Sequence, residues 1–304
     1  MSLLNEEGRA IAAERAGYAE PHAGGKRRRI FDSVITWLVL GAGGITMVFP
    51  LFWMISTSFK AESELYIFPP PLLPINWTWD NYPIAFRNVN YGRLLFNSVT
   101  VAIIVTCGRV ITSTFAGFAF ARLNFPGRDQ LFLMYLGVLM VPFPVTMVPL
   151  YLLMRSLGWI DNLVAIILPL FVSAYNTFLV RQYMLTLPTE LEDAARIDGA
   201  SVPRIYASVV LPLCGPVIAA ITVFSFLTSW NSFIWPLLVL SSPQNLTLPI
   251  GVALIATARA HYGGYTPWTM LMAVATASAI PMIIVYLLAQ RHFVRGIALT
   301  GLKG

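Results

Sequence analysis

Few residues in this chain have the type and spacing to do chemistry, and those few favour recognition over catalysis. His22, His261 and His292 are scattered, and no group of His, Cys, Asp or Glu has metal-ligand spacing. No nucleophile sits near a base at a suggestive distance along the chain. No Gly-x4-Gly-Lys-Ser/Thr loop is present to cradle a nucleotide. Neither an enzyme active site nor a metal or cofactor on this chain is therefore expected. Gly41-Ala42-Gly43-Gly44 is a weak glycine match inside an apolar run, where small residues serve helix packing. Cys107 and Cys214 offer no disulfide framework and read as small apolar packers.

Recognition chemistry is concentrated in polar residues set within apolar runs. Arg109 lies near the middle of one such run, where a charge is costly and points to function by default. No acidic residue lies deep in any run to pair with it. Three structural readings stand: a bond to backbone carbonyls, a contact with a second subunit, or reach towards an edge. The functional reading is a pathway contact to an anionic solute. Trp230-Asn231-Ser232, with Asn97 and Ser98, combines an aromatic face with amides and hydroxyls. Aromatic faces stack on the CH surfaces of sugars, and amides bond their hydroxyls. Packing and interhelical hydrogen bonding is the rival reading.

A second constellation is the loop Leu187-Pro188 to Leu211-Pro212. Thr189 and Glu192 have capping-box spacing, which predicts a helix starting at Thr189. Glu190, Glu192 and Asp193 fall in its first turn, where negative charge suits the helix dipole. Gly199 falls where a left-handed cap is wanted, near Asp198. Ser201 is placed to cap a second short helix with Pro203 in its first turn. Ala194 and Ala195 have almost no side chain, so another protein's surface can approach closely. Docking to a basic partner and a solvated connector lying on the membrane are the two readings.

The elements that must position these residues are membrane spans. The chain has 304 residues, 57% of them hydrophobic and 11% charged, against about 25% charged in an ordinary soluble domain. A span needs roughly 20 apolar residues, and six runs qualify: Val34 to Ser56, Leu95 to Phe120, Leu131 to Met154, Leu163 to Val180, Cys214 to Leu238 and Trp268 to Gln290. Residues 1–33 read as a disordered polar arm before a retained first helix, 34–290 as the transmembrane domain, and 291–304 as a tail. Pro142 and Pro144, in the middle of the third run, predict a hinge or a static kink. The net charge of +6 does not indicate nucleic acid, because the block Lys26-Arg27-Arg28-Arg29 directly precedes the first run and reads as a topology signal. With the N-terminus inside, inner segments hold 14 basic residues and outer loops five, which predicts both termini in the cytoplasm. The long outer loop from Thr57 to Arg93 carries Pro69-Pro70-Pro71, Trp77 and Trp79, as interface anchors or as contacts to an external partner. No internal repeat is visible.

The loop Asp193-Ala194-Ala195, with Gly199, Val209 and Leu211-Pro212 at matching intervals, resembles the "EAA" loop of ABC importer permeases. Asp193 stands where that pattern has Glu, and Val209 where it has Ile. Trp79-Asp80-Asn81-Tyr82, Asn97-Ser98, Phe120-Ala121-Arg122-Leu123-Asn124-Phe125-Pro126-Gly127-Arg128, Trp230-Asn231 and the tail Phe293 to Gly304 extend the resemblance to the MalG-like branch, the carbohydrate-uptake permeases. The resemblance implies an all-α membrane protein of the ABC type I importer permease fold, with six spans in a bacterial or archaeal cytoplasmic membrane. It implies a sugar importer in which this chain forms half the pathway beside a second, MalF-like permease subunit. Two ATPase subunits would bind ATP and Mg, and an extracytoplasmic protein would capture the sugar. Glu190, Glu192, Asp193, Ala194, Ala195, Asp198 and Gly199 would form the contact to one ATPase. A phosphorylated polyol importer, an ion-driven secondary transporter and a non-transporting scaffold are the rivals. The last two lack their marks here, since no acidic ion site, inverted repeat or other feature supports them.

Overall fold

The computed structural model describes the backbone of residues 24–257 and 266–300, and the side chains of residues 33, 35–257 and 266–288. Outside the described residues fall 1–23, 258–265 and 301–304, with His22 and His261; of His292 only the backbone is described. Every regular element among the described residues is a helix. The chain divides into two compact units, one ending at Trp53 and the other beginning at Met54.

Helix α1, Gly24–Ser58, begins ten residues before the predicted span, so part of the polar arm is helical rather than unstructured. Its apolar portion Ile35–Ser58 is 24 residues long. At a rise of about 1.5 Å per residue that suffices to cross a hydrocarbon core of roughly 30 Å. Phe49 packs against Phe52 and Trp53 beside Pro50.

In the second unit, α2 (Asn81–Asn88) leads to α3 (Tyr91–Arg122), the central helix. The chain continues through α4 (Arg128–Gly137), α5 (Phe143–Ser156), α6 (Val164–Leu170) and α7 (Ala174–Leu185). Next come the short α8 (Glu190–Ile197), α9 (Val202–Leu213) and α10 (Gly215–Trp230). Last are α11 (Ile234–Val239), α12 (Leu248–Thr257) and α13 (Trp268–Thr300). Helix α3 packs on α6, α7, α10 and α12, while α10 and α2 pack on α13. One core cluster lies near the start of α3, around Leu94, Val101, Val105, Trp230, Trp235 and Ile250. Another lies near its end, around Phe118, Val180, Met184, Ile205 and Ile221. Lipid tails are as apolar as these side chains, so close packing rather than transfer from water holds such helices together.

Among the described residues four helices are long and apolar enough to cross a membrane, and six crossings are reached by counting each of two bent pairs as one span. The third span is not the straight run Leu131 to Met154. Its halves, Arg128–Met140 and Phe143–Ser156, meet at 97°. Val141 precedes a proline and is extended (φ −87°, ψ 113°), and Pro142 is extended as well (φ −62°, ψ 136°). The fourth span is interrupted at Phe171–Ser173, after Pro169. The fifth is also corrected. Val202–Leu213 turns by 79° into Gly215–Trp230, and the helix ends at Trp230 rather than Leu238. Two prolines explain this. Pro212 has no amide for the carbonyl of Ser208, and Tyr206–Val210 widens into a π turn. Pro236 likewise cannot serve Ser232, so helix does not run through 231–233. The backbone of α13 continues helically to Thr300, past the predicted end at Gln290.

Candidate functional site

Helix α8 forms where its sequence predicts, but not by the predicted capping box. Thr189 makes no side-chain cap bond; its carbonyl accepts from the amides of Glu192 and Asp193 at 2.9 and 3.0 Å. Ser201 likewise makes no side-chain cap bond. The C-terminus follows the prediction fully. Gly199 is left-handed (φ +78°), its amide donates to the Arg196 carbonyl, and the Ala200 amide donates to that of Ala195. That pair of bonds is a Schellman closure, which needs a left-handed residue at position 199.

The two faces of α8 are inverted relative to an ordinary surface helix. Glu192 points inwards at 3% exposure, and Ala195 is half-buried against the cluster around Ile205. Leu191 is 48% and Ile197 87% exposed, with exposed Ala194 between them. Glu190, Asp193 and Asp198 are exposed around this strip, and Arg196 donates to Asp193 at 2.7 Å. The sequence reading missed Leu191 and Ile197. Their signal was an i, i+3, i+6 line of apolar and small residues in an otherwise charged helix.

Arg109 does meet backbone carbonyl. Its Nε donates to the Leu170 carbonyl at 2.7 Å and Nη1 to the Thr228 hydroxyl at 2.8 Å. The interruption of the fourth span frees that carbonyl, and the Thr112 hydroxyl donates to the next, Phe171, at 3.2 Å. No carboxylate among the described residues pairs with Arg109. Thr228, on α10, is exposed, and Asn231, which follows that helix, is exposed as well.

The other candidates are not gathered into one site. Asn97, 1% exposed, donates to the carbonyls of Gln244 and Leu246 at 2.9 and 2.8 Å. Ser98 accepts from the Leu248 amide at 2.7 Å. Both anchor the loop before α12 to the start of α3. Trp230 is buried and stacks on Phe226, while Asn231 caps α10 and donates to the Leu227 carbonyl at 2.9 Å. Ser232 follows in the break. Of the sequence set, Asn231 is exposed, and Arg109 is half-buried and bonded to exposed Thr228.

At the end of the bundle away from α8, two loops are tied by Asp161. Its carboxylate accepts from the amides of Ser241 and Ser242 and from the Ser242 hydroxyl. The Ser242 hydroxyl, then the two amides, hold its pKa down from 3.8 to about 2. A depressed carboxyl pKa gives stability that is present above the unfolded value and lost as pH falls through the folded one. Asp161→Ala is expected to lower thermal stability by roughly 1–2 kcal/mol at neutral pH, after allowing for solvent screening. Melting curves of both proteins should converge as pH falls from 4 towards 2. A gap that stays constant over that window would rule the tie out. The 59–80 loop is held in the same manner. Buried Lys60 donates to the Pro71 carbonyl, Glu64 accepts from the amides of Ile75 and Asn76, and Glu62 accepts from Thr269. Trp77 and Trp79 stay exposed.

Four to six apolar spans among the described residues define a multi-pass membrane protein. The family described as binding-protein-dependent transport system inner membrane component matches residues 109–299, and the chain belongs to it. An arabinooligosaccharides transport system permease protein, AraQ of Halalkalibacterium halodurans, is 37% identical over 91% of this chain and 100% of its own length. An sn-glycerol-3-phosphate transport system permease protein, UgpE of Rhizobium meliloti, is 36% identical over 90% of this chain and 98% of its own. A chain of a bacterial ABC transporter involved in import of the acidic polysaccharide alginate aligns with TM-score 0.79 at 23% identity. That alignment covers 90% of this chain and 100% of the other, and shows the same ABC importer permease fold.

Proposed function

We propose that this chain is the transmembrane permease subunit of an ATP-driven importer of di- or oligosaccharides and forms half of its pathway. A MalF-like second permease supplies the other half, and an extracytoplasmic binding protein delivers the sugar. ATP and Mg bind on two ATPase subunits. The observation that carries the reading is the exposed strip Leu191–Ala194–Ile197 with its acidic surround. A connector facing only water would turn Leu191 and Ile197 inwards, and one lying on the membrane would not ring its apolar strip with Glu190, Asp193 and Asp198. An apolar centre within a charged rim suits a groove in another protein. The excess of basic residues on the inner segments supports a cytoplasmic α8 and cytoplasmic termini. The AraQ likeness supports the sugar. The test is uptake of labelled arabinotriose and labelled sn-glycerol-3-phosphate by proteoliposomes holding both permeases, the ATPase and the binding protein. ATP-dependent uptake of arabinotriose is expected. An assembled complex that takes up neither solute would sink the proposal.

A second reading, import of a phosphorylated polyol, is favoured by one observation. The Arg109 guanidinium lacks a carboxylate partner among the described residues and lies beside exposed Thr228. The UgpE likeness supports it. On this reading Arg109→Gln lowers sn-glycerol-3-phosphate uptake about tenfold or more while Arg109→Lys retains most of it, because the lost group is a charge. Equal uptake by wild type and Arg109→Gln would leave Arg109 as a cap for Leu170 alone.

A further inference from the structure

Arg122, at the end of α3, meets Glu192 of α8 across 70 residues of sequence. Its Nε lies 2.6 Å from a Glu192 oxygen, a close ionic contact rather than an aligned hydrogen bond. Its Nη2 donates to the Leu187 carbonyl at 2.8 Å, on the approach to α8. The two side chains are 7% and 3% exposed. Arg196 adds a second cation, 3.9 Å from the other Glu192 oxygen, from solvent-exposed ground one turn along α8. A pair this buried is a poor source of net stability, because desolvation offsets most of the attraction. Its retained value is geometric: a guanidinium fixed by a carboxylate and a carbonyl sets angle as well as distance.

This has a mechanical consequence. Through the chain alone, α8 joins α7 by the non-helical linker 186–189 and joins α10 by way of α9, which contains a π turn and ends in the 79° corner at Cys214. A push on α8 along either route acts first on an irregular or bent segment. The ionic contact bypasses the corner and joins α8 to the central helix, which packs on α7 and α10. We infer that Arg122 and Glu192 are positioning residues that make α8 and the end of α3 move as one body. Displacement of α8 then reaches the central helix directly. The inference rests on the permease reading above and adds the route by which force enters the spans. It moves Glu192 from the surface contact to the interior, leaving Glu190, Asp193 and Asp198 to face a partner.

The test uses the complete complex and whichever of the two labelled solutes the wild type takes up. Glu192→Gln removes the charge at nearly constant volume. Solute moved per ATP hydrolysed should fall about tenfold or more, while the purified complex keeps its subunit composition and still hydrolyses ATP. The charge swap R122E/E192R should recover part of the ratio, limited because a carboxylate at 122 cannot donate to Leu187. In a C107S/C214S background, R122C/E192C joined by short bis-thiol reagents should transport better than the same protein unjoined. An unchanged ratio in Glu192→Gln overturns the inference, as does joining that stops transport, since the two ends would then have to move apart. If Glu192→Gln does not assemble, the joined pair decides alone. A wild-type complex that moves no solute defeats the permease reading instead.

Discussion

Gly199→Pro is expected to leave a protein that enters the membrane in normal amount and moves no solute. Two losses act together. Proline fixes φ near −65°, whereas the backbone at 199 sits at +78°. Proline also lacks the amide that donates to the Arg196 carbonyl at 3.0 Å. Helix α8 then has no closure, and the chain leaves it in another direction before Ser201. No Cβ clash contributes, since nothing lies within 4 Å of the position where one would be added. That open space makes the series graded. Gly199→Asn should keep most transport, because Asn tolerates the left-handed region. Gly199→Ala should cost roughly 1 kcal/mol and an intermediate share of uptake. Membrane-fraction abundance and uptake, measured in parallel, separate insertion from function. Equal uptake in Gly199→Pro and wild type would mean that the shape of α8 is irrelevant. Ala194→Arg is the companion, placing a long charge on the exposed strip without touching the core. It should abolish uptake and release the ATPase, and a complex that stays intact and active would place the docking surface elsewhere.

The local rules of the sequence carried some features through and lost others for identifiable reasons. The first two spans and the last were legible because their apolar runs are long, the second holds no proline, and Pro50 and Pro281 lie inside unbroken helix in the other two. The third and fifth runs are just as apolar, yet they bend at Val141–Pro142 and at Cys214. Hydropathy counts residues and is blind to the angle between them. Gly199 was legible because a left-handed cap is a local requirement. Glu192 was not. At capping-box spacing from Thr189 it had a local role, and Arg122, 70 positions earlier, won the carboxylate instead. Asn97 and Ser98 failed for the same reason. A buried amide within a span reads as a pathway group until the carbonyls of Gln244 and Leu246 are seen to claim it. Long-range pairing decides which polar residues remain open, and Arg109 is the informative case. Its carbonyl partner exists only because the fourth span is interrupted at the same depth.

Gly117→Leu is expected to remove the folded protein from the membrane, an effect on accumulation rather than on turnover. A Cβ at 117 would lie 2.7 Å from Val180 Cγ1, 3.0 Å from Val180 Cβ and 3.2 Å from the Arg181 amide nitrogen. The first could be relieved by a rotamer change, but Val is stiff about χ1 and the other two atoms are main chain or attached to it. Relief requires α3 and α7 to separate, and these helices carry the cluster of Phe118, Val180 and Met184. They also carry the Arg181 bond to the Phe120 carbonyl at 3.2 Å. In a membrane, close packing of this kind is what holds helices together, so separation forfeits the main attraction. Overpacking ordinarily costs about 1–3 kcal/mol and more where backbone must move. Gly117→Ala tests the argument closely. Alanine favours a helix over glycine by about 1 kcal/mol, so an open site would give a more stable protein. Here the clash should outweigh that gain, and the melting temperature of detergent-purified Gly117→Ala should fall. A rise would show that the two helices can shift apart at little cost. Position 108 offers the contrast. The atoms met there belong to the Phe171 ring, which lies closer still to the added Cβ, and a ring at the interrupted turn can swing aside. Gly108→Ala should therefore cost less than Gly117→Ala although its first contact is shorter, because the neighbour's freedom to move decides the outcome.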